Sequence, residues 1–339
     1  MKSKHYTLHG MDALVRWALT AALAAAASAV AGDSALPLLR ARPFEICVPA
    51  PSCEQIGRVR LLGAVALPTL TANDQRLVGL SGLAWDDDEG VLYAVSDMGA
   101  LFGLKPAFRS GHLVDAQLSS AVPLLDSQTG KPVRWQRSDS EGMDIINGRN
   151  GVRGDAELII SFEGEPRVAR YRLDGSFIAE IELPLALRGK QTYRYNKMLE
   201  AVCLHPREGV LTAPETPILK EKNPFLYRVR DGHAWQLPAT RSGITALECL
   251  PDSSVLLLER DLTLMTLRWR ITLRKLTLTA GTTADSETLA ELDSSRGLNI
   301  DNFEGLAHHR GQRFFMVSDN NDNLLQQTVL VYFEILGKP

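Results

Sequence analysis

The sequence predicts an all-β chain folded as one β-propeller of five four-stranded blades, closed by a strand from the N-terminal side. Three observations predict it: a motif that recurs at intervals of 45 to 60 residues, four alternating apolar strands in most of the intervals, and no convincing amphipathic helix. Six blades is the alternative, if residues 101–140 hide a degenerate unit.

The 339 residues are 45% hydrophobic and 23% charged, which excludes a disordered tail, a collagen-like chain and a coiled coil. Lys and Arg number 37 against 40 Asp and Glu, so no basic surface is expected for a nucleic-acid backbone.

Residues 1–31 read as a cleaved secretory signal: Lys2, Lys4 and Arg16 precede an Ala-rich run from Trp17 to Ala31, with Ala29 and Ala31 placed for cleavage. The run is shorter than the roughly 20 residues a spanning helix needs, and no basic stop-transfer cluster follows. No later segment is long and apolar enough to insert stably in a membrane, so a periplasmic or extracellular location is expected.

Residues 32–57 form a Pro-rich N-terminal segment, and 58–339 the propeller. In an oxidising compartment the four cysteines are expected to pair, as Cys47–Cys53 and Cys203–Cys249; the other two pairings stay open to the sequence.

The strand Arg58 to Leu67 precedes the first repeat and is the one expected to close the ring. The first repeat runs from Ser81-Gly82-Leu83-Ala84-Trp85 through an acidic turn into Val91-Leu92-Tyr93-Ala94-Val95-Ser96-Asp97. The last runs from Glu304-Gly305-Leu306-Ala307 into Phe315-Met316-Val317-Ser318-Asp319. Weaker copies start at Glu141, Glu200 and Thr245 and end in Glu163, Glu215 and Glu259. Outer strands follow, such as Arg167–Leu173 and Phe177–Leu183 around an Asp174-Gly175 turn. The last unit has three strands, Thr328 to Ile335 being its third, and so needs the N-terminal strand.

In a propeller the first strand of each unit lines the channel and the second runs antiparallel to it, so repeat starts and second-strand ends share one mouth. Those positions carry Ser81 and Asp97, Glu141 and Glu163, Glu200 and Glu215, Thr245 and Glu259, Glu304 and Asp319, with Asp144, Glu248 and Asp301 close in sequence. Converging carboxylates need a cation, basic partners or protons. A hard, oxygen-preferring ion such as calcium answers this, whereas zinc would want His or Cys at a spacing this chain lacks. The plain alternative is that the acids cap turns or pair with Lys197, Arg260 and Arg310.

The strings Gly-Leu-Ser-Gly-Leu-Ala-Trp (79–85), Ser-Glu-Gly-Met-Asp (140–144), Ser-Phe-Glu (161–163), Asn-Lys-x-x-Glu (196–200), Ala-Leu-Glu-x-Leu-Pro-Asp (246–252), Leu-Glu-Arg (258–260) and Asp-Asn-x-Glu-Gly-Leu (301–306) resemble the phytase-like family of secreted bacterial propellers, whose label is esterase-like activity of phytase. The resemblance covers about residues 75–335. It implies a repeated β domain whose acids carry phosphoester hydrolysis, here Glu141, Glu163, Glu200, Glu248, Glu259 and Glu304 with Asp97 and Asp319. Ser81 and Thr245 depart from the most acidic version of the pattern.

A secreted phosphoric-ester hydrolase is therefore expected, acting on a small phosphorylated substrate. Glu141, Glu200, Glu248, Glu304 and His308 are the candidate catalytic groups. Lys197 and Arg260 are candidates for phosphate oxygens, or else partners of Glu200 and Glu259. Asp97, Glu163, Glu215, Glu259, Asp301 and Asp319 are candidate calcium ligands. No nucleophile elbow, zinc-protease motif or phosphate-binding loop is present. The reading from another class is a non-catalytic propeller that binds a ligand or protein partner and keeps calcium for structure. Oligomeric state is left open.

Overall fold

The computed structural model describes residues 36–48, 53–133, 135–194, 197–239, 242–263, 265–323 and 325–337. The expected signal over 1–31 lies outside them, as does Asn196 of the quoted strings.

Two short strands, β1 (Arg42–Pro43) and β2 (Gln55–Ile56), precede the long β3 (Val59–Leu67), and a small hairpin of β4 (Thr71–Ala72) and β5 (Gln75–Arg76) follows. Blade 1 is β6 (Leu80–Asp86), β7 (Val91–Ser96), β8 (Ala100–Arg109) and β9 (His112–Pro123). Blade 2 is β10 (Ser140–Ile146), β11 (Glu157–Phe162), β12 (Arg167–Arg172) and β13 (Phe177–Ile181). Blade 3 is β14 (Leu199–His205), β15 (Gly209–Pro214), β16 (Phe225–Arg228) and β17 (Ala234–Gln236). Blade 4 is β18 (Gly243–Cys249), β19 (Ser254–Thr263), β20 (Arg268–Leu278) and β21 (Ala284–Asp293). Blade 5 is β22 (Asn302–Arg310), β23 (Arg313–Asp319) and β24 (Thr328–Ile335), completed by β3.

The closure is antiparallel, with Thr328 opposite Leu67 and Ile335 opposite Val59, so the two ends of the ring share a sheet. The stretch 101–140, the place for a sixth blade, is taken up by β8 and β9 and a helical turn at Trp135–Ser138. The Asp174-Gly175 turn forms as the sequence predicts: Gly175 adopts φ +82° and its amide donates to Arg172 O at 3.0 Å.

Apolar side chains fill the seams between blades. Val95 and Leu101 of blade 1 pack with Met143, Ile160 and Phe162 of blade 2, and Leu258 and Ile271 of blade 4 with Phe303, Leu306 and Phe314 of blade 5. Each such side chain, fully buried, contributes roughly 1.5–3 kcal/mol. The inner strands need small residues where they meet: a Cβ on Gly142 would lie 2.6 Å from Val202 N and 2.7 Å from Ala201 Cα of the next blade.

Both expected disulfides form. Cys47–Cys53 staples the N-terminal loop, and Cys203–Cys249 joins β14 to β18, the inner strands of blades 3 and 4. No helix among the described residues is long and apolar enough to cross a membrane.

Candidate functional site

Each inner strand carries a register shift near its first residues, between Leu80 and Gly82, Ser140 and Met143, Leu199 and Ala201, Ile244 and Ala246, and Phe303 and Gly305. A bulge of this kind leaves its residue out of the ladder and re-aims the side chain. Ser81, Glu141, Glu200, Thr245 and Glu304 sit at these five shifts. All are buried, and Ser81, Glu141, Glu200 and Glu304 line a polar cavity of about 210 Å³ at one mouth of the channel.

The second strands supply the rest of the ring. Asp97, Glu163 and Glu215 follow directly on residues paired with Leu80, Ser140 and Leu199, and Asp319 stands opposite Asn302. In blade 4 the register is Ile244 to Glu259 and Gly243 to Arg260, so the equivalent position belongs to Arg260. The sequence alignment that placed Glu259 there is one residue out. Because strand side chains alternate, that offset turns Glu259 away from the cavity, where its Oε2 accepts from Arg274 Nε at 2.6 Å.

Asp139, which the sequence reading passed over, also lines the cavity. It lies two residues before Glu141, and its carbonyl accepts the amide of Glu163 at 2.8 Å. The mouth thus gathers eight carboxylates, those of Asp97, Asp139, Glu141, Glu163, Glu200, Glu215, Glu304 and Asp319, and two cations, Lys197 and Arg260.

The cations are engaged. Lys197 Nζ donates to both oxygens of Glu215, at 2.6 and 2.5 Å. Arg260 Nη2 donates to Glu215 Oε1 at 3.3 Å, while its Nη1 donates to Asn302 Oδ1 and Glu304 Oε1. The pairs the sequence offered, Lys197 with Glu200 and Arg260 with Glu259, do not form: Lys197 is taken by Glu215, and Arg260, next to Glu259 along β19, points to the opposite face of the strand and is taken by Glu215 and Glu304. Glu163 Oε1 accepts Met198 N at 2.8 Å. Glu141 and Glu200 have no hydrogen-bond partner among the described residues, although they are only 8% and 4% exposed.

Burial raises the carboxyl pKa values here and neighbouring acids raise them further. Asp97 is pushed to about 7 and Asp319 to about 8, each by burial first and Glu304 second. Glu163 is pushed to about 7 by burial, against the Met198 amide. Glu141 and Glu200 rise well above the ordinary range, by burial and then by Glu304 and Glu141 respectively. Burial works against the charge of Arg260, but Glu304, Glu200 and Glu215 outweigh it and its pKa goes up.

Three more of the sequence candidates, Glu248, His308 and Asp301, lie outside the acidic cavity. Glu248 emerges near the far end of β18 and accepts His308 N at 3.0 Å; with Asp144, Arg149 and His308 it lines a cavity of about 420 Å³ at the opposite mouth. A seven-residue inner strand carries its last residues to the other end of the channel, which sequence proximity to Thr245 concealed. Residues of the β10–β11 loop reach across that mouth, Arg149 to the carbonyls of His308 and His309 and Asn150 to Asp88. Asp301 stands outside the acidic cavity, its carboxylate accepting Gln326 Nε2 and the amide of Gln327 and so fixing the β23–β24 connection.

The donor set is all oxygen. The carboxylates Asp139, Glu141 and Glu163 offer atoms within 4.8 Å of one another, as do Glu163, Glu200 and Glu215. Buried carboxylates without a donor among the described residues, Glu141 above all, fit a hard cation such as calcium.

The sequence matches the family described as phytase-like, esterase-like activity of phytase, over residues 75–322. A search of curated proteins finds no match. Among solved structures, a gluconolactonase from Xanthomonas campestris is similar at 13% identity and a TM-score of 0.43, covering 88% of this chain and 98% of that one. The Dos1 propeller (9% identity, TM-score 0.36, 81% and 74% covered) and the Cps50 (Swd1) β-propeller domain of Myceliophteria thermophila (10%, 0.39, 88% and 99%) are similar too. The propeller is established by the pairing of its strands into five blades and by the closure of the ring through β3 and β24.

Proposed function

The chain belongs to the phytase-like family, and from that premise we propose that it is an exported phosphoric-ester hydrolase that works at the acidic mouth with calcium. The observation that carries the reading is the pair Glu141 and Glu200, buried carboxylates facing a polar cavity with no protein donor among the described residues. Eight carboxylates against two cations repel an anionic ester unless positive charge is added.

Asp139, Glu141 and Glu163 are the carboxylates that would hold the ion, with Glu200 and Glu215 adjoining. Calcium bound there supplies charge neutralisation at phosphoryl oxygens and a lower pKa for a water. Glu200, whose carboxylate has no donor among the described residues, would orient an attacking water and take its proton. Glu304, held by Arg260 and Asn302, fixes the guanidinium in the cavity wall, and Arg260 and Lys197 offer charge-assisted hydrogen bonds to phosphate oxygens. Glu248 and His308, at the far mouth, have no part in this proposal. With two cations in the wall, the mouth suits a phosphodiester or a calcium-complexed phosphate better than a ligand as anionic as inositol hexakisphosphate. The two disulfides support export to the periplasm or beyond.

The test is phosphate release by the purified full chain from phytate, nitrophenyl phosphate and bis-nitrophenyl phosphate, with calcium and with chelator, beside Glu141→Gln and Glu200→Gln. Calcium-dependent turnover lost in both variants is the expected result. No turnover on any substrate, with a chelator-induced fall in melting temperature, would replace the hydrolase by a ligand-binding propeller with structural calcium.

A further inference from the structure

The two carboxylate sets that share Glu163 are not equivalent. In the set Asp139, Glu141 and Glu163, the carboxylates of Asp139 and Glu141 accept no hydrogen bond from any described residue, and Glu163 uses one oxygen for the Met198 amide. In the set Glu163, Glu200 and Glu215, both oxygens of Glu215 are bonded to Lys197 Nζ, and Oε1 also receives Arg260 Nη2. Arg260 is there because blade 4 departs from the acidic pattern at the ring position that the other four blades give to Asp or Glu.

We infer that the mouth takes a single divalent cation, in Asp139–Glu141–Glu163, and that Lys197 and Arg260 act as built-in cations that keep a second ion out of Glu163–Glu200–Glu215. The inference rests on the proposed metal-binding role of this mouth and adds which half is open. An ion entering the second set must displace Lys197 from Glu215 and then sit beside the Arg260 guanidinium, so it loses both a ligand and the favourable field. An ion in the first set displaces no donor from Asp139 or Glu141, and Glu141 is more than nine-tenths buried, facing the cavity.

The experiment counts calcium bound per full chain by equilibrium dialysis, with titration calorimetry for affinity. One ion is expected for the natural sequence and none for Glu141→Gln at the same free calcium. The double change Lys197→Gln, Arg260→Gln is expected to bind two, and adding Glu200→Gln to it is expected to return the count to one. Should the double variant fail to fold, Lys197→Gln alone, at a half-exposed side chain, is expected to gain a second, weaker ion, while Lys197→Arg stays at one. Two ions in the natural chain, none at all, or no gain on removing the cations would overturn the inference. Hydrolysis with two ions bound would sink it and leave the hydrolase standing; one ion with no hydrolysis would do the reverse.

Discussion

Arg260 stands opposite Gly243 in blade 4, at the ring position where blades 1, 2, 3 and 5 carry Asp97, Glu163, Glu215 and Asp319. One cation inserted among the acids ties blade 4 to both neighbours, since it bonds Glu215 of blade 3 and Glu304 of blade 5.

Removing that charge is therefore expected to be costly. Arg260→Met leaves Glu304 and Glu215 facing each other with one shared cation gone, and truncating one partner of a buried ion pair costs about 3–5 kcal/mol. Urea unfolding at pH 8 without calcium is the measurement. A loss below about 1 kcal/mol would show that the guanidinium is not the tie between these blades.

The raised carboxyl pKa values make stability depend on pH with a definite sign. Asp97 and Asp319 titrate at about 7 and about 8 in the folded chain, above their unfolded values, so the fold binds these protons more tightly. Their contribution is fully present only below the ordinary carboxyl value of about 4, is lost progressively as pH rises from there, and is gone once pH passes the folded values of about 7 and about 8. Melting temperatures in chelator are expected to fall between about pH 5 and about pH 8 and to level off above, and calcium is expected to flatten the fall. A chelated protein equally stable at both ends would refute the linkage.

Much of this was legible in the sequence because the period of the repeat is also the period of the chemistry. The starts at Ser81, Glu141, Glu200, Thr245 and Glu304 fall on the five bulges, since the small residue that follows each is needed where inner strands touch, as at Gly142. Register at the strand ends was less legible. Leu258-Glu259-Arg260 offers an acid and a base side by side, and only the pairing with Ile244 and Gly243 shows which faces the channel. Glu248 and His308 were misplaced for a related reason, that nearness along a strand says nothing about which end of the channel a side chain reaches.

The Cys203–Cys249 bond closes a 46-residue separation between the inner strands of blades 3 and 4. On the chain-entropy argument a loop of that length is worth about 4 kcal/mol. The double change Cys203→Ala, Cys249→Ala is expected to lower unfolding free energy by about 2–5 kcal/mol, read in urea. The single changes at Cys47 or Cys53 close a much shorter loop and are expected to cost less.

Glu200→Gln is expected to move stability in opposite directions with and without calcium. The natural carboxylate is 4% exposed, has no hydrogen-bond donor among the described residues, and is crowded by Glu141, Glu215 and Glu163. At pH 8.5 in chelator, a neutral amide of nearly the same shape removes that repulsion, and each kcal/mol gained raises the melting temperature by about 2–4 °C. In calcium the same change withdraws an oxygen charge beside the ion, so the stabilisation by calcium shrinks. Functional groups held against their own stability behave in this way. Thermal unfolding of the two chains in both conditions decides it: a variant less stable than the natural chain in chelator would mean that Glu200 is held by the fold for packing and not for an ion.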